Sequence, residues 1–338
     1  MTGIDDVTSR MWIGRQLDLG PRTTRSLSRG VSASELERVR RGVFRAPDKA
    51  TQKQADALSG RERAEKKRQR FLEDVVAVMV TRKRMPVLSH RSALAVWDLP
   101  ASREWPHTVD ILVGQSSNLR SKNRVRVHRD EYGGHDVVEH NGFLVTTPVR
   151  TIVDLARDGD FEGAVVALDH ALNPRLASAM QLVTRDDARA CLAAMSSSRG
   201  RALATKAIEF ARAEAGSPGE SVSRIGIHVL GFAVPELQVR HASPRGGYYE
   251  TDFEWIDYRQ IGEFDGLGKY LKASVPPGKD PGQVVHDEKV REDDLREEGN
   301  GVTRWGWQEV RHLPTLRAKL LGAGIPIVRR PLRLPDFQ

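Results

Sequence analysis

Tyr249-Glu-Thr-Asp252-Phe-Glu-Trp-Ile-Asp-Tyr-Arg-Gln-Ile-Gly-Glu263-Phe-Asp265-Gly266-Leu-Gly-Lys269-Tyr270 is the stretch that decides the fold. It reads as two short strands. Side chains alternate faces along a strand, so Glu263 and Asp265 share a face while Phe264 points to the other. Asp252 lies on the preceding strand, with Phe253 and Trp255 on the face opposite to it. A connection around Asp257 to Gln260 folds the two strands antiparallel and sets Asp252 across from the Glu263/Asp265 pair. Gly266 and Gly268 then turn the chain sharply, which would return Lys269 toward the carboxylates. Mg²⁺ takes oxygen ligands, one or two carboxylates and several waters. In phosphodiester cleavage such an ion activates water and offsets charge on the attacking and leaving oxygens. Taken alone, Glu-x-Asp-Gly is a weak motif, because charged strand edges and acidic turns are common.

The flanks add to it. Ser217-Pro218-Gly219-Glu220 opens a helix with apolar positions at Ile225, Val229 and Leu230, and Glu220 falls in its first turn. Downstream, His286 to Glu298 reads as a charged helix, Gly299 as its stop, and Val302-Thr-Arg304-Trp305 as a strand.

The order of these blocks resembles a domain related to very-short-patch repair endonucleases, within the PD-(D/E)xK superfamily. The blocks are a helix with Glu220, a strand with Asp252-Phe253, a strand with Glu263 to Gly266, a helix with Glu288 to Arg296, and the Val302 to Trp305 strand. Further blocks, Ser89-His90-Arg91-Ser92-Ala93, Val127-His128-Arg129 and Thr147-Pro148-Val-Arg150-Thr151-Ile-Val-Asp154, resemble an actinobacterial architecture in which that domain follows an AbiEi-type antitoxin region. The resemblance implies a restriction-endonuclease-like core and metal carboxylates at Asp252 and Glu263, with Glu220 as the helix acid. Asp265 stands where the superfamily places lysine. A basic residue a few positions later, here Lys269, takes that slot, and Lys289 is a second candidate.

The chain has 338 residues, 39% hydrophobic and 29% charged, with net charge +8. That length implies two or three domains, and the composition is that of a globular protein. The basic balance suits a phosphate-rich partner. One cysteine, Cys191, excludes an internal disulfide framework and a multi-cysteine zinc site. No apolar run suggests a signal peptide or a ~20-residue membrane span, so the expected compartment is the cytoplasm.

Trp12 to Ala46 suggests a winged helix-turn-helix unit. Thr23 to Leu27 is one predicted helix, Ser32 to Leu36 the capping-box start of the next, and Arg40 to Arg45 a short basic wing. Arg25, Arg38, Arg40, Arg41 and Arg45 are the candidate DNA contacts. From Val87 to Leu172 the pattern is mixed α/β. Helices are predicted at His90 to Val96, Thr151 to Ala156 and Phe161 to Leu172. Strands are predicted at Thr108 to Val113, Arg124 to His128, Asp136 to Glu139 and Phe143 to Val145, with a hairpin turn at Asn141-Gly142. No spacing brings His90, His128 and His140 together as metal ligands, so they read as structural or surface histidines.

The expected class is mixed, multidomain α/β. Its expected parts are a winged-helix-like unit at 1–50, an AbiEi-like α+β domain at 51–176, a helical connector at 177–215 and the endonuclease-like domain at 216–338. The expected function is a DNA-binding protein with an endonuclease-like domain. Asp252, Glu263 and Asp265 are its predicted Mg²⁺ or Mn²⁺ ligands, and Glu220 and Lys269 complete the catalytic set. The alternative is a non-enzymatic, antitoxin-like repressor with a degenerate nuclease fold and a toxin-like protein partner. RNA is a further substrate class open to the same chemistry.

Overall fold

Helical and strand periods alternate along the chain, and the backbone follows them into a mixed α/β, multidomain architecture. The computed structural model describes residues 4–9, 11–13, 31, 33, 35–47, 58–266 and 281–332. In chain order the elements are α1 (Ile4–Ser9), β1 (Met11–Ile13), β2 (Glu37–Arg40), β3 (Val43–Arg45), α2 (Gly60–Val80), β4 (Val87–Leu88), α3 (His90–Val96), β5 (Val109–Val113), β6 (Val125–Arg129), β7 (Val137–His140), β8 (Phe143–Thr146), α4 (Pro148–Arg157), α5 (Phe161–Leu172), α6 (Arg185–Ala194), α7 (Arg201–Phe210), α8 (Pro218–Leu230), β9 (Glu236–Ala242), β10 (Tyr248–Trp255), β11 (Gln260–Asp265), α9 (Pro281–Glu297), β12 (Gly301–Gly306), α10 (Trp307–Arg311) and α11 (Leu313–Gly322). The chain divides into two compact units. One comprises Met1–Gln52, Ala64–Gly159 and Val183–Glu209; the other comprises Lys53–Arg63, Asp160–Leu182 and Phe210–Gln338. The interval expected to be a connector, 177–215, is thus shared between the two.

In the first unit, β1, β3 and β2 form an antiparallel sheet in that order. The basic wing is the β2–β3 hairpin, turned at Gly42 with φ +79°. Ser32 lies outside the described residues; where the helix expected from it would run on, Glu35 lies in a bend and Glu37–Arg40 is a strand. There the chain pairs with β3 instead. A five-stranded sheet follows in the order β6-β5-β4-β8-β7. Its Asn141-Gly142 hairpin has φ of +50° and +80°, the left-handed pair that a type I′ turn requires. Helix α4 starts where Thr147 accepts a hydrogen bond from the Arg150 amide, with Pro148 in its first turn. Arg150 is 2% exposed and pairs with Asp154 at 3.0 Å, Asp130 at 3.2 Å and Asp136 at 3.4 Å. That block of the sequence therefore builds a buried ionic cluster.

In the second unit, β9, β10 and β11 form an antiparallel meander, and α9 leads back to β12, parallel to β11. The sheet order is β12-β11-β10-β9. Phe253, Trp255, Phe264 and Trp305 pack into one core with Val222 of α8, Val310 of α10 and Leu316 of α11. Burying each such ring contributes roughly 1.5–3 kcal/mol. Two glycines are required by this packing. A Cβ on Gly262 would stand 2.4 Å from the Trp305 ring, and one on Gly219 would stand 1.9 Å from that of Phe264.

Candidate active site

The strand pair places the acidic residues as its alternation dictates. Phe253 pairs with Gly262 across β10 and β11, so one step further along that register Asp252 lies beside Glu263. The Asp252 carboxylate reaches the next residue of β11, accepting from the Phe264 amide at 2.7 Å. Glu263 and Asp265 face away from the Phe264 core, and β12 sets Arg304 opposite Glu263.

Glu220 arrives from the first turn of α8. Ser217 caps that helix, accepting from the Glu220 amide. The Glu220 carboxylate accepts from the Gly216 amide at 2.7 Å and from Gln238 of β9 at 3.1 Å. Burial pushes its pKa above the ordinary value. The Gly216, Ser217 and Gln238 hydrogen bonds oppose that, and the nearby Glu263 charge adds to it. Glu220 and Glu263 are two neighbouring carboxylates from elements far apart in sequence, 8% and 2% exposed.

The cations beside them differ from those expected. Lys269 lies outside the described residues, and Lys289 is exposed on α9. Arg291 of the same helix donates to Glu263 at 2.8 Å and to the Glu250 carbonyl at 2.7 Å. Burial pulls the Arg291 pKa down, but Glu263 and Glu288 carry it above its usual value. Arg304 joins Asp265 at 3.2 Å, Glu288 at 2.5 Å and Glu292 at 3.0 Å. Both arginines stand in blocks visible in the sequence. What the blocks lack is any sign of pairing, because the partners lie on other elements. The spacing of Glu288 and Arg291, three apart on a helix, was the one local signal.

The donor set is chemically suited to a hard divalent cation, since every candidate ligand is a carboxylate oxygen. Asp252 and Glu263, adjacent across two strands, match the one or two carboxylates that Mg²⁺ usually takes. The neighbouring charges of Glu220 and Glu263 give such an ion an electrostatic reason to bind there.

The N-terminal cations are divided. Arg25 lies outside the described residues. Arg38 and Arg41 are exposed on the wing hairpin. Arg40 donates to the Asn123 carbonyl at 2.8 Å. Arg45 is buried and held by Glu37 at 2.7 Å, Asp74 at 3.1 Å and Glu73 at 3.3 Å, so its guanidinium is engaged inside the unit and not presented to phosphate.

The histidines also depart from expectation. His140 stacks on Trp97, but His90 and His128 stack on each other with centroids 3.6 Å apart. Among the described residues, His90, His128 and Asp158 form a group whose possible metal-binding atoms all lie within 4.8 Å of one another.

No family model matches the chain. Two curated proteins of Mycobacterium tuberculosis, the uncharacterized proteins MT2308 and Rv2248, are each 29% identical to it over 127 residues. Each match takes in 38% of this chain and 45% of the relative, so it spans less than half the length of those proteins. Among solved structures, the crystal structure of the RV2827C protein from the same organism is similar over 64% of this chain and 72% of that one. The identity there is 12% and the TM-score 0.35.

Proposed function

We propose that this chain is a cytoplasmic DNA-binding protein whose second unit carries a Mg²⁺- or Mn²⁺-dependent endonuclease-like site, cleaving or nicking DNA in defence or repair. One observation carries the reading: buried Glu263 lies near enough to buried Glu220 of α8 for its charge to raise the Glu220 pKa, with Asp252 beside Glu263 across the strand pair. The resemblance of the surrounding blocks to very-short-patch repair endonucleases supports it.

In this reading Asp252 and Glu263 hold the ion, with Asp265 as a further ligand or a water-positioning group. The ion, when bound, polarises the phosphate and makes a coordinated water more acidic. Glu220 orients the ion's surroundings through a carboxylate fixed by Gly216 and Gln238. Lys269 stabilises charge on the phosphoryl oxygens. Arg38 and Arg41, exposed on the wing, supply affinity for the DNA backbone.

A second reading has its own support. Asp265 occupies the position where the superfamily lysine is expected, and it is paired with Arg304. A degenerate core of this kind fits an antitoxin-like repressor with DNA and a toxin-like protein as partners. Incubation of the purified protein with supercoiled plasmid and Mg²⁺ or Mn²⁺, beside an Asp252→Ala/Glu263→Ala control, separates the two. Nicking by the wild type and not by the control is expected. Footprinting without cleavage of any DNA supports the repressor.

A further inference from the structure

The first unit holds a cluster that the nuclease reading does not use. His90 opens α3, His128 lies on β6, and Asp158 caps the C-terminal end of α4. Their candidate donor atoms lie within 4.8 Å of one another. We propose that His90, His128 and Asp158 form a binding site for a borderline divalent transition cation such as Zn²⁺, with three protein donors and an open fourth position.

Each imidazole has an orienting partner. Metal-binding imidazoles commonly use one nitrogen on the ion and the other on an orienting partner. Nε2 of His128 lies 2.9 Å from the buried Asp110 carboxylate, and Nδ1 of His90 lies 3.0 Å from the Ser89 hydroxyl. The second nitrogen of each ring is the one left for an ion. Asp110 is itself fixed by its backbone, whose amide donates to Ser92. Two imidazoles and a carboxylate, with one position open, are a ligand set that suits Zn²⁺.

The backbone at His90 adds a second observation. Its φ is +49°, a left-handed conformation that non-glycine residues adopt at a cost and that concentrates at functional positions. The conformation sets the His90 ring against that of His128, with 18° between their planes. Capture of one ion by both rings requires them to splay out of this stack. Asp158 can follow, because it is partly exposed and its nearest cations, Arg199 and Arg126, stand 3.6 and 3.8 Å away.

Titration calorimetry with Zn²⁺ alone, and visible absorption after Co²⁺ addition, test the site on the full chain. The wild type should bind one Zn²⁺ per chain with micromolar or tighter affinity and give the absorption of a low-coordinate Co²⁺ centre. His128→Asn and Asp158→Asn should each weaken binding by about tenfold or more, as loss of even an outer partner costs about 10–100-fold. Asp158 is partly exposed, so its variant tests the site without disturbing a core. Asp252→Ala/Glu263→Ala should bind Zn²⁺ at this site as the wild type does. Absence of Zn²⁺ and Co²⁺ uptake by the folded wild type, or unchanged affinity in Asp158→Asn and His128→Asn, would overturn the proposal.

Discussion

Arg291 donates to Glu263 across the gap between α9 and β11 at 2.8 Å, and the carboxylate it meets is 2% exposed. A charge this deep is tolerable because a cation stands on it. Arg291→Ala removes this cation from a carboxylate that stays buried. The expected cost is about 3–5 kcal/mol, the range for breaking a buried pair from one side, read by chemical denaturation. Adding Glu263→Gln to Arg291→Ala should recover part of the loss. An Arg291→Ala protein as stable as the wild type would show that the pair contributes little.

Glu220 has a folded-state pKa raised by burial and by Glu263. The folded state then holds the proton at pH values where the unfolded chain has lost it, so stability falls as pH rises from the ordinary glutamate value through the raised one. Above that window the full cost of the charge is present. Glu220→Gln should therefore be slightly more stable than the wild type at pH 7, and the difference should vanish toward pH 4. Thermal unfolding across that range checks it. The same variant should lose nicking activity, since it removes an acidic group from the site.

His241 behaves in the opposite sense. Burial lowers its pKa, but hydrogen bonds to Glu254 at 2.6 Å and Glu298 at 2.8 Å raise it above the ordinary value overall. Its stabilising contribution is complete below the unfolded histidine pKa and is lost as pH rises through the higher folded value. His241→Gln should lower the Tm at pH 6 and have a smaller effect at pH 9. A Tm difference independent of pH would contradict the assignment.

Gly219 sits where any side chain meets the Phe264 ring, at 1.9 Å for a built Cβ. Gly219→Ala should push the start of α8 away from β11, with a cost of about 1–3 kcal/mol typical of overpacking. Because Glu220 follows directly, nicking should fall by more than the stability change alone explains. Gly266→Ala, with no atom within 4 Å of the added carbon, is the matched control.

Much of the second unit is legible in the sequence because its signals are local. Alternation around Phe253 and Phe264 assigns faces, and Gly299 marks a turn that the backbone makes with positive φ, as Asn141-Gly142 does in the first unit. The carboxylates on β10 and β11 follow from that alternation. Their arginine partners do not, because Arg291 and Arg304 reach them from elements beyond the strand pair. The meeting of His90 with His128 is equally hidden. It depends on β4 and β6 both flanking β5 in the sheet, a relationship that no local spacing reports. Past Leu36, where a helix is expected to run on, the converse holds: the local signal yields to strand pairing between β2 and β3.

In the proposed function, Asp252 and Glu263 together hold a divalent cation. Crystals of the full chain soaked in Mn²⁺ test this through the metal's anomalous scattering. The expected result is a peak coordinated by oxygens of both carboxylates, with Arg291 drawn away from Glu263. Loading of Mn²⁺ elsewhere, with Arg291 still on Glu263 and no peak beside Asp252, would contradict it.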